Sequence, residues 1–267
     1  MICVRALLCV LFLLCSCVDV IHTKKDIAQA DLKRYATLIR YINLASKTKD
    51  EIDAIFNNNK FDRYSFSDFG QVGASVLTIL DSQTKEQYIL IYTKDDAEQL
   101  KSIQGSGMVF HKELGLQING QYSKMYEIIK RGLQNNVAPH SKAMIAGFGS
   151  GAVMAQLLAY NLVLDGFDPH YIELVSVGAT AFADDASYAK IHNAIRNNVD
   201  IIAKYDQFPL TEIRGCSPRR MSLILNQTGV VSIAGVAKFE KKLLENSNQH
   251  TLDFYHDMLL FSKINAQ

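Results

Sequence analysis

Five residues near the middle of the chain, Gly147-Phe148-Gly149-Ser150-Gly151, have the types and spacing for acyl-transfer chemistry. A serine hydroxyl becomes a nucleophile when a sharp turn presents it and a neighbouring base takes its proton. The stretch follows the apolar run Ala143-Met144-Ile145-Ala146 and leads into another that starts at Ala152. A buried strand passing through small residues straight into a buried helix is the setting of a nucleophile elbow. The central residue there is strained, and the residues two before and two after it must be small. Two residues compete for the centre. With Gly149 there, Gly147 and Gly151 are the small flanks, the strain suits a glycine, and no nucleophile is present. With Ser150 there, a hydroxyl is available, but Phe148 falls where a small residue is needed. Ser150 also has a plainer role as the capping hydroxyl of the next helix. Taken alone, Asp206, His250, His256 and His111 read as loop, capping or structural residues.

The elements around this turn alternate. Residues 23 to about 60 read as helical, with Ile27, Leu32, Tyr35, Ile39 and Ile42 near a 3.6 period, until Asn57-Asn58-Asn59-Lys60 breaks the pattern. Residues 75–80 and 87–92 read as two strands of a hairpin, and 108–111 as a further short strand. Residues 121–136 are an amphipathic helix. Then come a strand (143–148), a buried helix (152–164), a strand (171–177), a helix (184–196), a strand (199–205) and a strand (219–226). Strand–helix alternation of this kind predicts an α/β fold, a mostly parallel sheet covered by helices. No proline- or glycine-rich linker divides the chain, so residues 18–267 read as a single domain.

Residues 1–17 read as a secretory leader. Arg5 supplies its positive charge, residues 6–15 are an apolar run too short to span a bilayer, and cleavage is expected after Cys17. An uncleaved anchor is the alternative, and Asp19 and the polar stretch after His22 argue against it. Four of the five cysteines lie in the leader, which leaves only Cys216 and excludes a disulfide framework and cysteine-based zinc sites, unless Cys17 survives processing. Removing Arg5 from the 28 basic residues leaves 27 against 27 acidic ones, so no basic field exists to hold nucleic acid. The glycines after Gly147 are not followed by Gly-Lys-Ser/Thr and make no phosphate loop. No motif points to a metal or a cofactor. Asn226-Gln227-Thr228 is a glycosylation sequon.

Several segments in order resemble the class 3 (fungal-type) lipases of the α/β-hydrolase superfamily. Gly147-Phe148-Gly149-Ser150-Gly151-Ala152 is similar to that family's Gly-His-Ser-Leu-Gly-Gly. Leu174-Val175-Ser176-Val177-Gly178-Ala179-Thr180-Ala181-Phe182 resembles its strand ending in Phe-Gly-x-Pro-Arg-Val-Gly, without the proline and arginine. Residues 199–209 resemble the strand and loop bearing the acid of the triad, and Arg214-Gly215-Cys216-Ser217 the Phe-Gly-Tyr-Ser that follows. His250-Thr251-Leu252-Asp253-Phe254-Tyr255 resembles the terminal histidine with its aromatic. Val109-Phe110-His111 resembles the Val-His-x-Gly-Phe segment, and residues 24–50 the long N-terminal helix. The resemblance implies an α/β-hydrolase fold, with Asp206 as triad acid, His250 as base and Gly149 in the nucleophile position. His256 fits the histidine position less well.

The resemblance also shows what is missing. Phe148 replaces the flanking histidine. The strand before the lid ends Ile91-Tyr92-Thr93-Lys94 without the family's Arg-Gly-Ser/Thr, which leaves Thr93 and Ser150 as oxyanion candidates. Residues 95–107, where the lid belongs, are polar apart from Leu100 and Ile103, which are spaced to bury as a short helix, and the chain has no tryptophan to anchor a lid in lipid. The reading is a secreted pseudo-lipase that binds a lipid, an acyl chain or a protein, without stable membrane insertion. The alternative is an active esterase or lipase using Ser150, Asp206 and His250, and a third class is an interaction protein whose pocket is filled.

Overall fold

The computed structural model describes residues 29–57, 63–81, 84–94, 97–133, 141–203, 213–217, 222–225, 230–234, 251–261 and 263–264. The leader, Asp206, His250 and the Asn226 sequon lie outside the described residues. No described helix is long and apolar enough to cross a membrane.

The N-terminal helical region is two helices, α1 (Gln29–Ala45) and α2 (Lys49–Asn57), not one. The break has a local cause. The Thr48 N–H donates to Glu51 Oε2 at 2.8 Å while the Glu51 N–H reaches Thr48 Oγ1 at 3.4 Å, a reciprocal capping box that starts a new helix. The hairpin is present as β2 (Ala74–Leu80) and β3 (Glu86–Thr93), antiparallel with Leu80 opposite Gln87. It is preceded by β1 (Arg63–Phe69), an antiparallel partner of β2 that apolar patterning does not reveal.

After β3 come α3 (Ala97–Gly105), the two-stranded β4 (Met108–His111) and β5 (Leu116–Asn119), and α4 (Gly120–Leu133). The regular alternation is β6 (Lys142–Phe148), α5 (Ser150–Leu164), β7 (Ile172–Val177), α6 (Asp185–Ala194) and β8 (Asn197–Ala203). The chain finishes with β9 (Ser222–Leu225), β10 (Val230–Ala234), α7 (Leu252–Phe261) and β11 (Lys263–Ile264). Among the described residues the main sheet has nine strands in the order β1-β2-β3-β6-β7-β8-β9-β10-β11. The pairs from β3 through β9 are parallel.

Two apolar cores sandwich this sheet. On one face α4, α5 and α6 bury Tyr122, Met125, Leu157 and Ile191. On the other, α1, α2 and α7 bury Leu32, Ile39, Ile52 and Tyr255. Strand β6 feeds both by alternation, Ala143 and Ile145 into the first core and Met144, Ala146 and Phe148 into the second. Every residue of α5 from Ser150 to Leu162 is buried, as its apolar circumference demands.

Candidate functional site

The turn from β6 to α5 has its strained residue at Gly149, with φ +59° and ψ −127°. That combination is open in practice to glycine and costs another residue about 1–3 kcal/mol. The Gly149 N–H donates to Val177 O at 2.9 Å, which fastens the apex to the end of β7. The flanks show how tightly the turn is drawn. A Cβ on Gly147 would lie 2.2 Å from Gly151 O, and one on Gly151 would lie 2.5 Å from Ile91 O. Backbone thus excludes a side chain two residues before and two residues after Gly149. Phe148 turns the other way and meets the Tyr255 ring of α7 edge-on, with centroids 5.9 Å apart.

Ser150 is the first residue of α5 rather than its cap; Gly149 occupies the cap position and offers no side chain. The Ser150 hydroxyl is fully buried, 3.4 Å from the Tyr122 hydroxyl of α4. Tyr122 also hydrogen bonds the hydroxyl of Thr180, in the loop after β7. Three buried hydroxyls from α5, α4 and that loop therefore meet beside the elbow. Thr93, the last residue of β3, is equally buried. Its Oγ1 accepts from the Gly151 N–H at 2.8 Å and donates to Phe148 O at 3.3 Å, so the hydroxyl stitches β3 to both arms of the turn.

The segment in the lid position is short helix α3, as its spacing predicts; Ile103 is fully buried but Leu100 only half-buried. Asn119 holds it. This fully buried side chain donates from Nδ2 to Ile103 O at 2.9 Å and to Ser106 O at 3.0 Å, while its Oδ1 accepts from the Gln121 N–H at 3.0 Å. The backbone adds Gly120 N–H to Gly107 O at 2.8 Å and Asn119 N–H to Phe182 O at 2.8 Å.

The other reactive types are engaged elsewhere. His111 is buried, with Nε2 2.8 Å from Glu127 Oε1. His256 places Nδ1 3.0 Å from Asp257 Oδ1 and faces a groove between α1 and α7 lined by Ile39, Arg40, Asn43 and Leu252. Burial, with a smaller effect of Asp184, pushes the Cys216 thiol up to about 12, so it stays protonated at neutral pH. Its Sγ lies 3.4 Å from Met108 Sδ. No three His, Cys, Asp or Glu side chains among the described residues are grouped to hold a metal ion. Asp206 and His250 fall outside the described residues, and their distance from Gly149 or Ser150 forms no part of this geometry.

The sequence points to Gly149, Ser150 and Thr93 but not to Tyr122, Thr180 or Asn119. Of these three only Asn119 carries a local signal, an asparagine directly before a helix that caps its first turn.

No protein-family model and no curated protein matches the chain by sequence. Solved structures do match by shape. Lip2 lipase from Yarrowia lipolytica aligns with a TM-score of 0.67 at 11% identity, over 85% of this chain and 95% of its own. The triacylglyceride lipase of Rhizomucor miehei gives 0.62 at 13%, over 82% and 86%. Lipase II from Rhizopus niveus gives 0.59 at 12%, over 83% and 89%. The chain has an α/β-hydrolase fold. Identities this low carry the architecture and not the chemistry. Within the α/β-hydrolase frame, the turn is the junction of β6 and α5, the ends of β3 and β7 fasten it, and α3, β4 and β5 come between β3 and α4 in the chain.

Proposed function

We propose that the protein is a secreted lipase-like binding module without serine hydrolase activity, taking a lipid or acyl ligand beside the elbow or a protein partner. The observation that carries this reading is the apex itself. The residue with the elbow's strained backbone is Gly149, which has no side-chain oxygen to acylate. Ser150, one position on, sits inside a buried hydroxyl cluster instead of at the apex. The lid-position helix is tied down by Asn119, where interfacial catalysis needs a segment free to open. Secretion rests on the leader at residues 1–17.

The test is direct. The purified chain is incubated with short- and long-chain esters and with an activated fluorophosphonate probe. The expected result is no turnover and no labelling. Labelling that disappears in Ser150→Ala would overturn the proposal and make Ser150 the nucleophile, as in the alternative that adds Asp206 and His250. Gly149→Ser adds a second readout, because hydrolysis gained by that variant means Asp206, His250 and an acyl pocket are in working positions. A lipid extracted with the purified protein supports the acyl-binding form of the proposal. If no lipid is extracted and Gly149→Ser stays inactive, the protein-partner form remains.

A further inference from the structure

Among the described residues the main sheet ends at β1, and β1 lacks several of the usual protections of an edge. Its seven residues run beside β2 without a bulge, from Arg63 opposite Leu80 to Phe69 opposite Ala74, and among the described residues no strand pairs with its other side. Edges that stay single are commonly short, bulged, or carry lysine or proline. This one, Arg-Tyr-Ser-Phe-Ser-Asp-Phe, has neither residue. In an antiparallel pair, alternate residues point N–H and C=O away from the partner. No backbone bond from outside the sheet meets β1 among the described residues.

The strand is also held rigidly in a strand-ready shape. On one face Tyr64 stacks on Phe56 of α2 at 4.4 Å, and its hydroxyl donates to Asp53 Oδ1 at 2.5 Å. On the other, Phe69 lies against Gly132 of α4, so close that a Cβ there would be 2.4 Å from the ring. Arg63 and Asp68 are the two exposed side chains. An edge pre-shaped in this way gives up little entropy on pairing.

We propose that β1 pairs antiparallel with β1 of a second copy about a two-fold axis normal to the sheet, which joins the two sheets edge to edge. Residues opposite one another must share a face, and that restricts the register. The register overlapping all seven residues sets Phe66 against Phe66 of the second copy on the axis. Ser65 then faces Ser67, Tyr64 faces Asp68 and Arg63 faces Phe69 of that copy. Aromatic rings meet at the centre, the Arg63 guanidinium covers a ring at each end, and no like charges oppose. Such a pairing forms roughly six to eight backbone hydrogen bonds. The next permitted register, centred on Ser65, leaves Asp68 and Phe69 without opposites. A self-complementary strand of this kind makes a second copy the occupant, in preference to an extended peptide of another protein.

The experiment combines sedimentation velocity on the full chain with cysteine pairing. Opposed residues of an antiparallel pair lie within the Cα separation that a disulfide spans. Ser65→Cys and Ser67→Cys chains are oxidised mildly, alone and mixed, with the unaltered chain as blank. The proposal expects a dimer, and about tenfold more crosslinking in the mixture than in either variant alone. Ser67→Lys, shown by its melting curve to be folded, should sediment as a monomer. A chain that is monomeric throughout the micromolar range overturns the proposal. So does mixed crosslinking no stronger than that of each variant alone, or a dimer that survives Ser67→Lys. A monomer that captures an added extended peptide along β1 gives the edge to a different partner and overturns it too.

Discussion

The elbow at residues 147–151 and the helix α3 are held in place by opposite means. The elbow keeps its shape because side chains are missing: Gly151 O stands where a Cβ on Gly147 would go, and Ile91 O where one on Gly151 would go. Helix α3 keeps its place because one side chain is present, the Asn119 amide that serves two carbonyls and one N–H. The contrast explains how an elbow can persist around a glycine. Its geometry is a packing requirement between β3, β6 and α5, and none of those close approaches involves a side chain at the apex. Beyond that amide, helix α3 has the buried Ile103 side chain and the Gly120 N–H bond to Gly107 O.

Four measurements test that contrast. The largest effect is expected from Gly147→Ala and Gly151→Ala, since each methyl meets backbone that cannot swing away. Each should lower stability by about 3 kcal/mol or more in urea unfolding. A loss under about 1 kcal/mol in either would show that the turn is not packed as described. Next comes Asn119→Leu, which leaves Ile103 O and Ser106 O buried and unpaired at a cost of about 2 kcal/mol. Amide exchange should then accelerate in α3 while α5 stays protected. Thr93→Val removes the acceptor of the Gly151 N–H and should cost about 1–2 kcal/mol. A larger loss would mean that the elbow too depends on a side chain.

The smallest effect is chemical. The Cys216 thiol, raised to about 12 by burial, stays neutral well above pH 7, so alkylation should remain slow at pH 7 and pH 9 alike. Met108, two residues beyond the Ser106 carbonyl that Asn119 holds, covers that sulfur. In Asn119→Leu, release of this segment should uncover the thiol, and alkylation should then rise with pH around the ordinary thiol value of about 8.5.

Much of the frame is legible in the residues because period and burial coincide. Ala143 to Phe148 alternate between two cores, and α5 is apolar on every side because it is buried on every side. The elbow register is legible from Gly147 and Gly151, where no other residue fits. Strand β1 is not legible, since Tyr64, Phe66 and Phe69 are separated by serines and aspartate and bury only part of each ring. The break between α1 and α2 overrides a continuing helical period through four residues of capping chemistry, Thr48 to Glu51. The Tyr122–Thr180 bond joins residues 58 apart and is made only when α4 and the loop after β7 are in place. Asp206 and His250, which the family resemblance brings to the site, lie outside the described residues.

The edge-on contact of Phe148 with Tyr255 has an optical consequence. The chain contains no tryptophan, so its twelve tyrosines emit without an indole to drain their excitation. Tyr255 is fully buried, and its ring touches the residue directly before Gly149. Emission from that ring therefore reports on the core behind the elbow, where α7 packs on Phe148. Phe148→Trp would place the molecule's sole indole at the same point, a built-in lamp one residue from the apex.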